Sequence, residues 1–411
     1  MIALQPAPRP VFWSIVLASA ALLAITTGVR LSLGLFVRPI AATGIGIAGI
    51  SLVLAVGQFC WGAIQPVFGL LADRFGALWV LILGGILLAL GLALAPAFPT
   101  EQGLMFTLGI VSAAGAGAGS FAILIGGVAG RLAPERRNLA AGIINAGGSF
   151  GQFLFAPLAQ ALITALSWTG ALWALAAAGL ATVFLARPAV GARGSAAHAF
   201  APGSHPPVGA TLREAFRDRS YLCLHAGFFT CGFHIAFLVT HLPSEIALCG
   251  LPVASAGVAV GLIGLFNIAG SIGIGWLAGR HRMKLLLAEL YAVRALAIVV
   301  YLLAPKTLVT LYVFSGVLGL TWLATVPPTA GLVGQLFGHR HLSTLFGMTL
   351  LSHQTGAFFG AWLGGLAMAA SGSYRVVWYA DIALAVLAAL VSLPIRETPP
   401  RPRLAVAVSA P

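Results

Sequence analysis

The sequence predicts an all-α membrane protein in which twelve transmembrane helices form two related halves of six. Three observations lead to this fold class: an apolar composition, recurring apolar runs of at least 18 residues, and matches between the two halves at one spacing. Of the 411 residues, 60% are hydrophobic and 8% are charged, and the mean hydropathy is +1.01. Soluble domains carry about 25% charged residues, so this composition requires lipid as the solvent.

The apolar runs are long enough to cross a hydrocarbon core of roughly 30 Å as helices. Helices satisfy their own backbone hydrogen bonds in lipid, and the runs lack the alternation of a membrane β-barrel. The first run is too long for a secretory signal peptide and lacks a convincing cleavage site. The predicted spans are residues 12–37, 47–71, 78–98, 102–128, 139–163, 169–186, 220–247, 253–278, 285–303, 307–335, 343–371 and 375–395.

Positively charged residues predict the orientation of the chain. Seventeen Lys and Arg residues fall on one side of the predicted spans and three on the other, while Arg30 and Arg294 lie within spans. Basic loops stay in the cytoplasm, so we expect both termini there and a multi-pass chain in the cell (inner) membrane. The net charge of +13 is then a topology signal. Because the arginines are spread over short loops, we expect no nucleic acid partner. The four cysteines show no metal or redox spacing, so no metal or cofactor is expected.

The two halves of the sequence match each other across a polar stretch at residues 187–219. At an offset confined to 204–206 residues, "GLLADR" falls on "GWLAGR", and "GVRLSLGLFVRPI" (28–40) falls on "GFHIAFLVTHLPS" (232–244). Matches at one offset along the chain indicate an internal duplication of six helices. The predicted domains are a six-helix bundle at 1–186, a cytoplasmic linker at 187–219, a second six-helix bundle at 220–396 and a cytoplasmic tail at 397–411.

One short segment carries a family resemblance. "GLLADRFG" (69–76) resembles the loop motif between helices two and three of the major facilitator superfamily. "GWLAGRHR" (275–282), at the equivalent place in the second half, resembles the same motif more weakly. The sequence departs from the family pattern at residues 77–79, where basic residues usually follow, and at Gly279, which matches Asp73. Within the superfamily, "RLSLGLFVRPI", "CGFHIAFLVTHLP", "GLFNIAGSIGIGWL" and "TVPPTAGLVGQLFG" are most similar to bacterial carriers related to monocarboxylate and oxalate/formate porters.

The resemblance implies two bundles around a central cavity that spans 1, 4, 7 and 10 line. It also implies alternating access, and we expect a monomer in the lipid bilayer. Pro327 and Pro328 would interrupt hydrogen bonding in span 10, which is tolerated beside a cavity and suits a gate. The residues of the loop motif and its echo to which the resemblance assigns conformational roles are Gly69, Asp73, Arg74, Gly76, Gly275 and Arg280.

Arg30 lies within the first span, where a charge is costly. The repeat pairs Arg30 with His234, and spans 1 and 7 both line the cavity in the family. Charged groups inside a membrane usually face a cavity or a partner, so both residues are predicted to bind substrate. The alternative is snorkelling. Arg30 is seven residues from the end of its span, roughly 10 Å at the helical rise, within reach of the outer headgroups. Arg38 is the better interface anchor.

The predicted spans offer no acid for the middle of the cavity. Glu289 and Asp381 fall on peripheral spans, where one of them is expected to pair with Arg294. A pocket with Arg and His but no carboxylate favours an anion, because the guanidinium fork bonds both carboxylate oxygens. The sequence therefore predicts a secondary active transporter of a small organic anion, a monocarboxylate or related carboxylate. The alternative is a proton-driven exporter of drugs or metabolites, which would need an acid in the cavity. A membrane enzyme or receptor is disfavoured by the duplicated halves.

Other polar residues of the spans have two interpretations each. Asn267, His353, Gln354 and the glutamines of span 2, Gln58 and Gln65, either contact substrate or link helices through hydrogen bonds. His234 and His241 lie two helical turns apart on one face. They either carry a coupled proton or serve as hydrogen-bonded structural residues.

Overall fold

The structure is a computed structural model that describes residues 9–129, 131–132, 134–191, 208–338 and 342–397, and these ranges contain no β-strand. Residues 192–207 of the expected linker and 398–411 of the expected tail lie outside the described residues. The α-helices of the first half are α1 Arg9–Ser32, α2 Val37–Ala41, α3 Ile47–Ala63, α4 Gln65–Phe75, α5 Ala77–Leu94, α6 Glu101–Leu104, α7 Ala113–Ala118, α8 Phe121–Ala129 and α9 Pro134–Val190. Those that follow are α10 Val208–Ala215, α11 Arg219–Leu248, α12 Ala254–Ala278, α13 Met283–Leu303, α14 Leu308–Thr321, α15 Val326–Phe337, α16 Leu342–Ser371 and α17 Arg375–Ser392.

Ten helical segments in the described ranges are long and apolar enough to cross a membrane. Two of the twelve expected spans are not separate members of this set. The fifth and sixth fall within one 52-residue segment, Leu139–Val190, which is interrupted by a non-helical residue, Ser167 at φ 63° and ψ 176°. The eleventh corresponds to α16, a continuous helix of 30 residues. Its apolar sequence is interrupted by the polar run Ser-His-Gln-Thr at 352–355, which lowers the mean hydropathy. The structure is thus an all-helical membrane protein.

Two departures from α-helical geometry lie close to Arg30. The first span tightens into a 3₁₀-helix at Leu33–Phe36, directly after α1. The fourth span widens into a π-helix at Met105–Ser112, between α6 and α7. Such segments inside long helices often accompany functional sites, because the displaced turns re-aim neighbouring side chains.

The two halves meet through antiparallel helix pairs. Along α3 and α16, Ser51 contacts Gly365 and Gln354 contacts Gly62. The side chain of Asn267 on α12 bonds to that of Ser149 on α9. Small residues at these positions let the backbones approach closely, as membrane helices require in the absence of a hydrophobic driving force.

The same pairs separate at their other ends. Seven residues beyond Gly62 and Gln354 in this antiparallel register lie Gly69 and Gly347, and the α9–α12 pair leads likewise to Gly142 and Gly275. No described atom of another helix lies within 4 Å of the position that a Cβ would occupy at any of these four glycines. The halves are therefore in contact at one end and apart at the other.

One packing contact recurs in both halves at the spacing that the sequence predicts. Gly151 of α9 packs on the carbonyl of Ala24 in α1, and Gly356 of α16 packs on the carbonyl of Phe229 in α11. Both members of the second pair lie 205 positions after their counterparts in the first.

Candidate functional site

Arg30 lies on α1 with its side chain directed at α3. Its Nη1 donates a short hydrogen bond to Oε1 of Gln58, and its guanidinium carbon lies 4.1 Å from the ring centroid of Trp61. The Nε of Arg30 is buried and has no acceptor among the described residues. The ion pairs found in the described ranges also leave Arg30 without a carboxylate partner. The guanidinium of Arg30 is therefore fixed in position by Gln58 and Trp61, while its Nε donor has no described acceptor.

A narrow cavity of about 20 Å³ adjoins this guanidinium. That volume holds roughly one water molecule. Leu108 and Ser112 of the π-helical segment form part of its wall, and Val239 and Thr240 of α11 bring in the second half of the chain. Arg38, at the outer end of the first predicted span, is exposed. The two arginines thus occupy different environments: Arg30 contacts side chains of α3, whereas Arg38 faces the outside of the molecule.

His234 does not line this cavity. It is 1% exposed on α11, and its Nδ1 lies 2.7 Å from Oδ2 of Asp381, which is fully buried on α17. The expectation that Asp381 is peripheral is therefore wrong. On α17 this carboxylate is turned toward α11. A buried carboxylate in a membrane needs a partner, and His234 is that partner.

Arg294 bonds to backbone rather than to an acid, so the expected pairing with Glu289 or Asp381 is also wrong. Its Nη2 donates to the carbonyls of Thr321 and Trp322, at 2.6 Å for the latter. These carbonyls lie at the interruption between α14 and α15, where residues 322–325 form a turn. The N–H of Val326 donates to the carbonyl of Leu323 rather than to the carbonyl four residues back, so the helical ladder is interrupted there. Pro327 and Pro328 have no N–H to extend it. Arg294 donates to the carbonyls of Thr321 and Trp322, which this interruption leaves without a described backbone donor.

Asn267 links three elements. Its Nδ2 donates to Ser149 Oγ at 2.8 Å, and its Oδ1 accepts from the backbone N–H of Leu323 at 3.0 Å and from Ser271 Oγ at 3.1 Å. The first contact joins the two halves, and the second holds the interruption in span 10. Asn267 therefore serves the helix-linking role, and its polar atoms are occupied.

The other predicted polar residues are dispersed. Gln354 is buried against Gly62, and Nδ1 of His353 is buried with no partner among the described residues. His241 is fully occupied: its Nε2 donates to the carbonyl of Ala361 at 2.7 Å, and Nδ1 lies 3.3 Å from the Tyr374 hydroxyl. Of the polar residues predicted to contact substrate, Gln58 alone joins Arg30 at the cavity in the described part of the chain.

The predicted conformational residues lie at helix ends. Gly76 ends α4 with φ 92° and ψ 143°, a conformation that side-chain-bearing residues rarely adopt. Arg74 is exposed and lies over the ring of Phe75, and Arg280 lies 3.5 Å from the ring centroid of Trp276. The side chain of Asp73 lies outside the part that the structure describes.

Two functional candidates escaped sequence reasoning. Trp61 belongs to no sequence motif. Its ring meets Arg30 because of the way α3 is rotated against α1, which the sequence does not reveal. Asp381 had a usable signal, since an acid in the middle of an apolar span is a functional-site hypothesis by default. The assignment of its span to the periphery concealed that signal.

Comparisons with known proteins agree with this architecture. Residues 13–347 match the family model described as Major Facilitator Superfamily. Monocarboxylate transporter 13 of Bos taurus is 27% identical over 373 residues, which cover 88% of this chain and 84% of that protein. The crystal structure of the nucleoside transporter NupG superposes with a TM-score of 0.79 at 13% identity, covering 94% of this chain and all of the other. A bacterial homolog of the human lysosomal transporter Spinster, in an inward-facing and occupied conformation, gives a TM-score of 0.77 at 14% identity, covering 96% and 100%.

Proposed function

Because this chain belongs to the major facilitator superfamily and is a transporter, we propose that it carries a small organic anion, a monocarboxylate, across the inner membrane by alternating access. The observation that supports this substrate class best is Arg30. It is a cation within a membrane span, beside a cavity, with a buried Nε donor that no described residue uses. A carboxylate would supply the missing acceptor and the missing negative charge.

The surroundings of Arg30 favour a carboxylate over a cation. Gln58 and Trp61 orient the guanidinium, and neither neutralises it. In the described part of the chain the fully buried acid is Asp381, which is occupied by His234 in the other half, whereas Glu289 on α13 is exposed. A cationic drug in the cavity beside Arg30 would face an uncompensated like charge, which costs free energy at close range in a medium of low dielectric constant.

We further propose twelve membrane crossings with both termini in the cytoplasm, arranged as the bundles 1–186 and 220–396. Ser167 divides the 52-residue segment into two lengths that each suffice for a crossing, and α16 supplies another. The recurring contact at Gly151 and Gly356 supports the duplication of the two bundles.

In this topology Gly69, Gly142, Gly275 and Gly347 lie at the cytoplasmic ends of their helices. Their open surroundings then correspond to an inward-open state, in which the outer ends of the bundles are closed. Because the Arg30 cavity holds roughly one water in this state, a carboxylate must widen it as it binds. Residues of both halves line the cavity, so a bound substrate would contact both bundles and could shift their relative position.

Transport is proposed to be coupled to protons through a histidine of α11, either His234 or His241. His is the side chain whose charge changes most readily near neutral pH. A proton moving with the anion would let a pH gradient drive accumulation of the substrate.

The test is transport by purified protein in liposomes, with radiolabelled pyruvate as the probe. Wild-type protein should exchange external label for unlabelled internal pyruvate, and a panel of organic cations should neither compete nor exchange. Exchange of a cation with no exchange of any short carboxylate would favour the drug-exporter alternative.

A further inference from the structure

We propose that His234 and Asp381 together form the proton-binding site of the transport cycle. The proposal rests on proton-coupled transport and assigns to it a pair of residues on α11 and α17. The reversible step is the uptake of one proton from water by the pair and its release on the other side of the membrane, with no other bond made or broken.

The geometry of the pair suits a shared proton. Nδ1 of His234 and Oδ2 of Asp381 are 2.7 Å apart, and the two side chains are 1% and 0% exposed. Each group also keeps an unused atom, because His234 Nε2 and Asp381 Oδ1 are buried without a described partner. The proton can therefore arrive at His234 Nε2 or Asp381 Oδ1, and the pair then shares a proton between Nδ1 and Oδ2.

The groups that face the pair set its charge balance. In the described part of the chain the other buried Arg, Lys, Asp or Glu side chain is Arg294 on α13. Its Nη2 donates to backbone carbonyls, while its Nε and Nη1 are buried without a described partner. Two further titratable groups lie in the same half: Cys231 on α11 contacts Thr325 at 3.3 Å, and the ring of His353 on α16 packs on Phe228. Tyr291 of α13 bonds to the carbonyl of Gly227 and carries no charge at neutral pH.

This arrangement makes proton binding and anion binding favour each other. With Asp381 ionised and Arg294 cationic, the charges of this core cancel. One added proton leaves a net positive charge inside the membrane, where a charge is costly. An anion bound between the halves offsets that charge, so each ligand lowers the free energy of binding the other, and this effect is reciprocal.

The pair also contacts a segment that can change shape. The Trp322 ring lies 6.1 Å from the His234 ring, and Trp322 belongs to the turn that interrupts span 10. Arg294 holds the carbonyl of the same residue. Protonation of His234 therefore changes the charge next to the irregular part of span 10. If this segment contacts the pair differently in the two states of the transporter, protonation favours one state over the other.

The test uses the full chain in liposomes with three readouts: pyruvate exchange at equal pH, pyruvate accumulation driven by an imposed pH gradient, and proton entry reported by an internal pH dye. Asp381→Asn and His234→Gln should retain exchange but lose gradient-driven accumulation and substrate-dependent proton entry, down to the level of protein-free liposomes. The matched controls on α11 are His225→Gln, whose imidazole bonds to Ser352, and Glu245→Gln, an acid at the outer end of the helix. Both should keep all three readouts.

Gradient-driven accumulation and proton entry in Asp381→Asn at the wild-type level would overturn the proposal. If Asp381→Asn does not fold, Asp381→Glu decides instead. The longer carboxylate changes its position against His234, so the pH dependence of accumulation should shift, and an unchanged pH profile would refute the pair.

Failure of the proposed substrate class gives a different result. In that case wild-type protein exchanges no short carboxylate, whereas the proton site is still measurable by titration of the purified protein. Wild type should then take up one more proton per molecule than Asp381→Asn when the two are titrated with acid side by side. Identical titration curves would overturn the proton site independently of the substrate.

Discussion

The guanidinium of Arg30 lies 4.1 Å from the ring centroid of Trp61, on a helix that also provides its hydrogen-bond acceptor, Gln58. The cation is thereby fixed in position, but it is not neutralised. This relationship distinguishes a binding arginine from an interface anchor. Arg38, the expected interface anchor, is exposed, whereas Arg30 is oriented by its contacts with Gln58 and Trp61 before any substrate arrives. Pre-orientation reduces the entropy lost on binding.

The first prediction therefore concerns Arg30. A charge-assisted hydrogen bond contributes about 1.5–3 kcal/mol, which corresponds to roughly ten- to a hundredfold in affinity. Arg30→Gln should lose most of that affinity for pyruvate, while Arg30→Lys keeps the charge without the planar fork and should retain part of it. Pyruvate affinity is measured by competition in the exchange assay. Arg38→Gln is the matched control, and wild-type affinity in folded Arg30→Gln would contradict the cavity assignment.

Trp61 gives a second, independent prediction for the same cavity. A cation over an aromatic face contributes about 0.5–2 kcal/mol, depending on how far the pair is desolvated. Trp61→Ala should release the guanidinium and weaken pyruvate binding, and Trp61→Phe should restore part of the loss because a ring face remains. Affinity is again measured by exchange, with thermal unfolding to verify the fold. Equal affinities in the Ala and Phe variants would exclude a role for the ring face.

Hydropathy predicted the long apolar helices, ten of which in the described ranges could cross a membrane, but it did not predict which way each polar side chain points. The span that contains Asp381 is apolar almost all round, so no polar stripe fixes the rotation of the helix, and the carboxylate could be assigned to either face. The role of Arg30 was easier to predict, because the repeat pairs it with His234 and because a charged side chain inside a membrane is costly. The π-helix at Met105–Ser112 had no local signal, since glycine and small residues are common throughout this chain.

Arg294 provides a prediction about stability. It donates to the carbonyls of Thr321 and Trp322, which the interrupted helix leaves without backbone partners. A buried polar group that loses its partner costs about 1–3 kcal/mol. Arg294→Met should therefore lower the unfolding temperature of the purified protein, and Arg294→Lys, which retains one donor group, should lower it less. Arg38→Met, at an exposed arginine, is the control. An unfolding temperature at or above wild type in Arg294→Met would mean that desolvating the guanidinium costs more than its bonds to the carbonyls contribute.

The proposed orientation is tested by labelling. Cysteines introduced at Ser195 and Ser204, in a chain without its four native cysteines, should be shielded from an impermeant reagent added to intact cells. They should become accessible once the membrane is permeabilised, because the distribution of basic residues predicts that the 187–219 segment is cytoplasmic. A cysteine in place of Thr100, between the third and fourth expected spans, is the external control and should label in intact cells. Ready labelling at residue 204 without permeabilisation would reverse the orientation.

The last prediction concerns the open ends of the two bundles. In the antiparallel register of α3 and α16, Gly62 contacts Gln354. Further along, no described atom of another helix lies within 4 Å of the position that a Cβ would occupy at Gly69 or Gly347. Alternating access requires this end to close when the outer end opens, and the absence of side chains lets the backbones approach. A Gly69→Cys and Gly347→Cys pair should therefore come within the Cα separation of about 4.4–6.8 Å that a disulfide needs.

An oxidant should cross-link that pair in a chain without native cysteines and block pyruvate exchange, and a reductant should restore exchange. The single variants and the mismatched pair Gly69→Cys with Gly275→Cys should stay uncrosslinked and active, since the register does not bring those positions together. Cross-linking is read as a shift in gel mobility and compared with the rate of exchange. Active exchange with no cross-link in the Gly69–Gly347 pair would show that the cytoplasmic ends do not close along this register, because every transport cycle would otherwise bring the two thiols into contact.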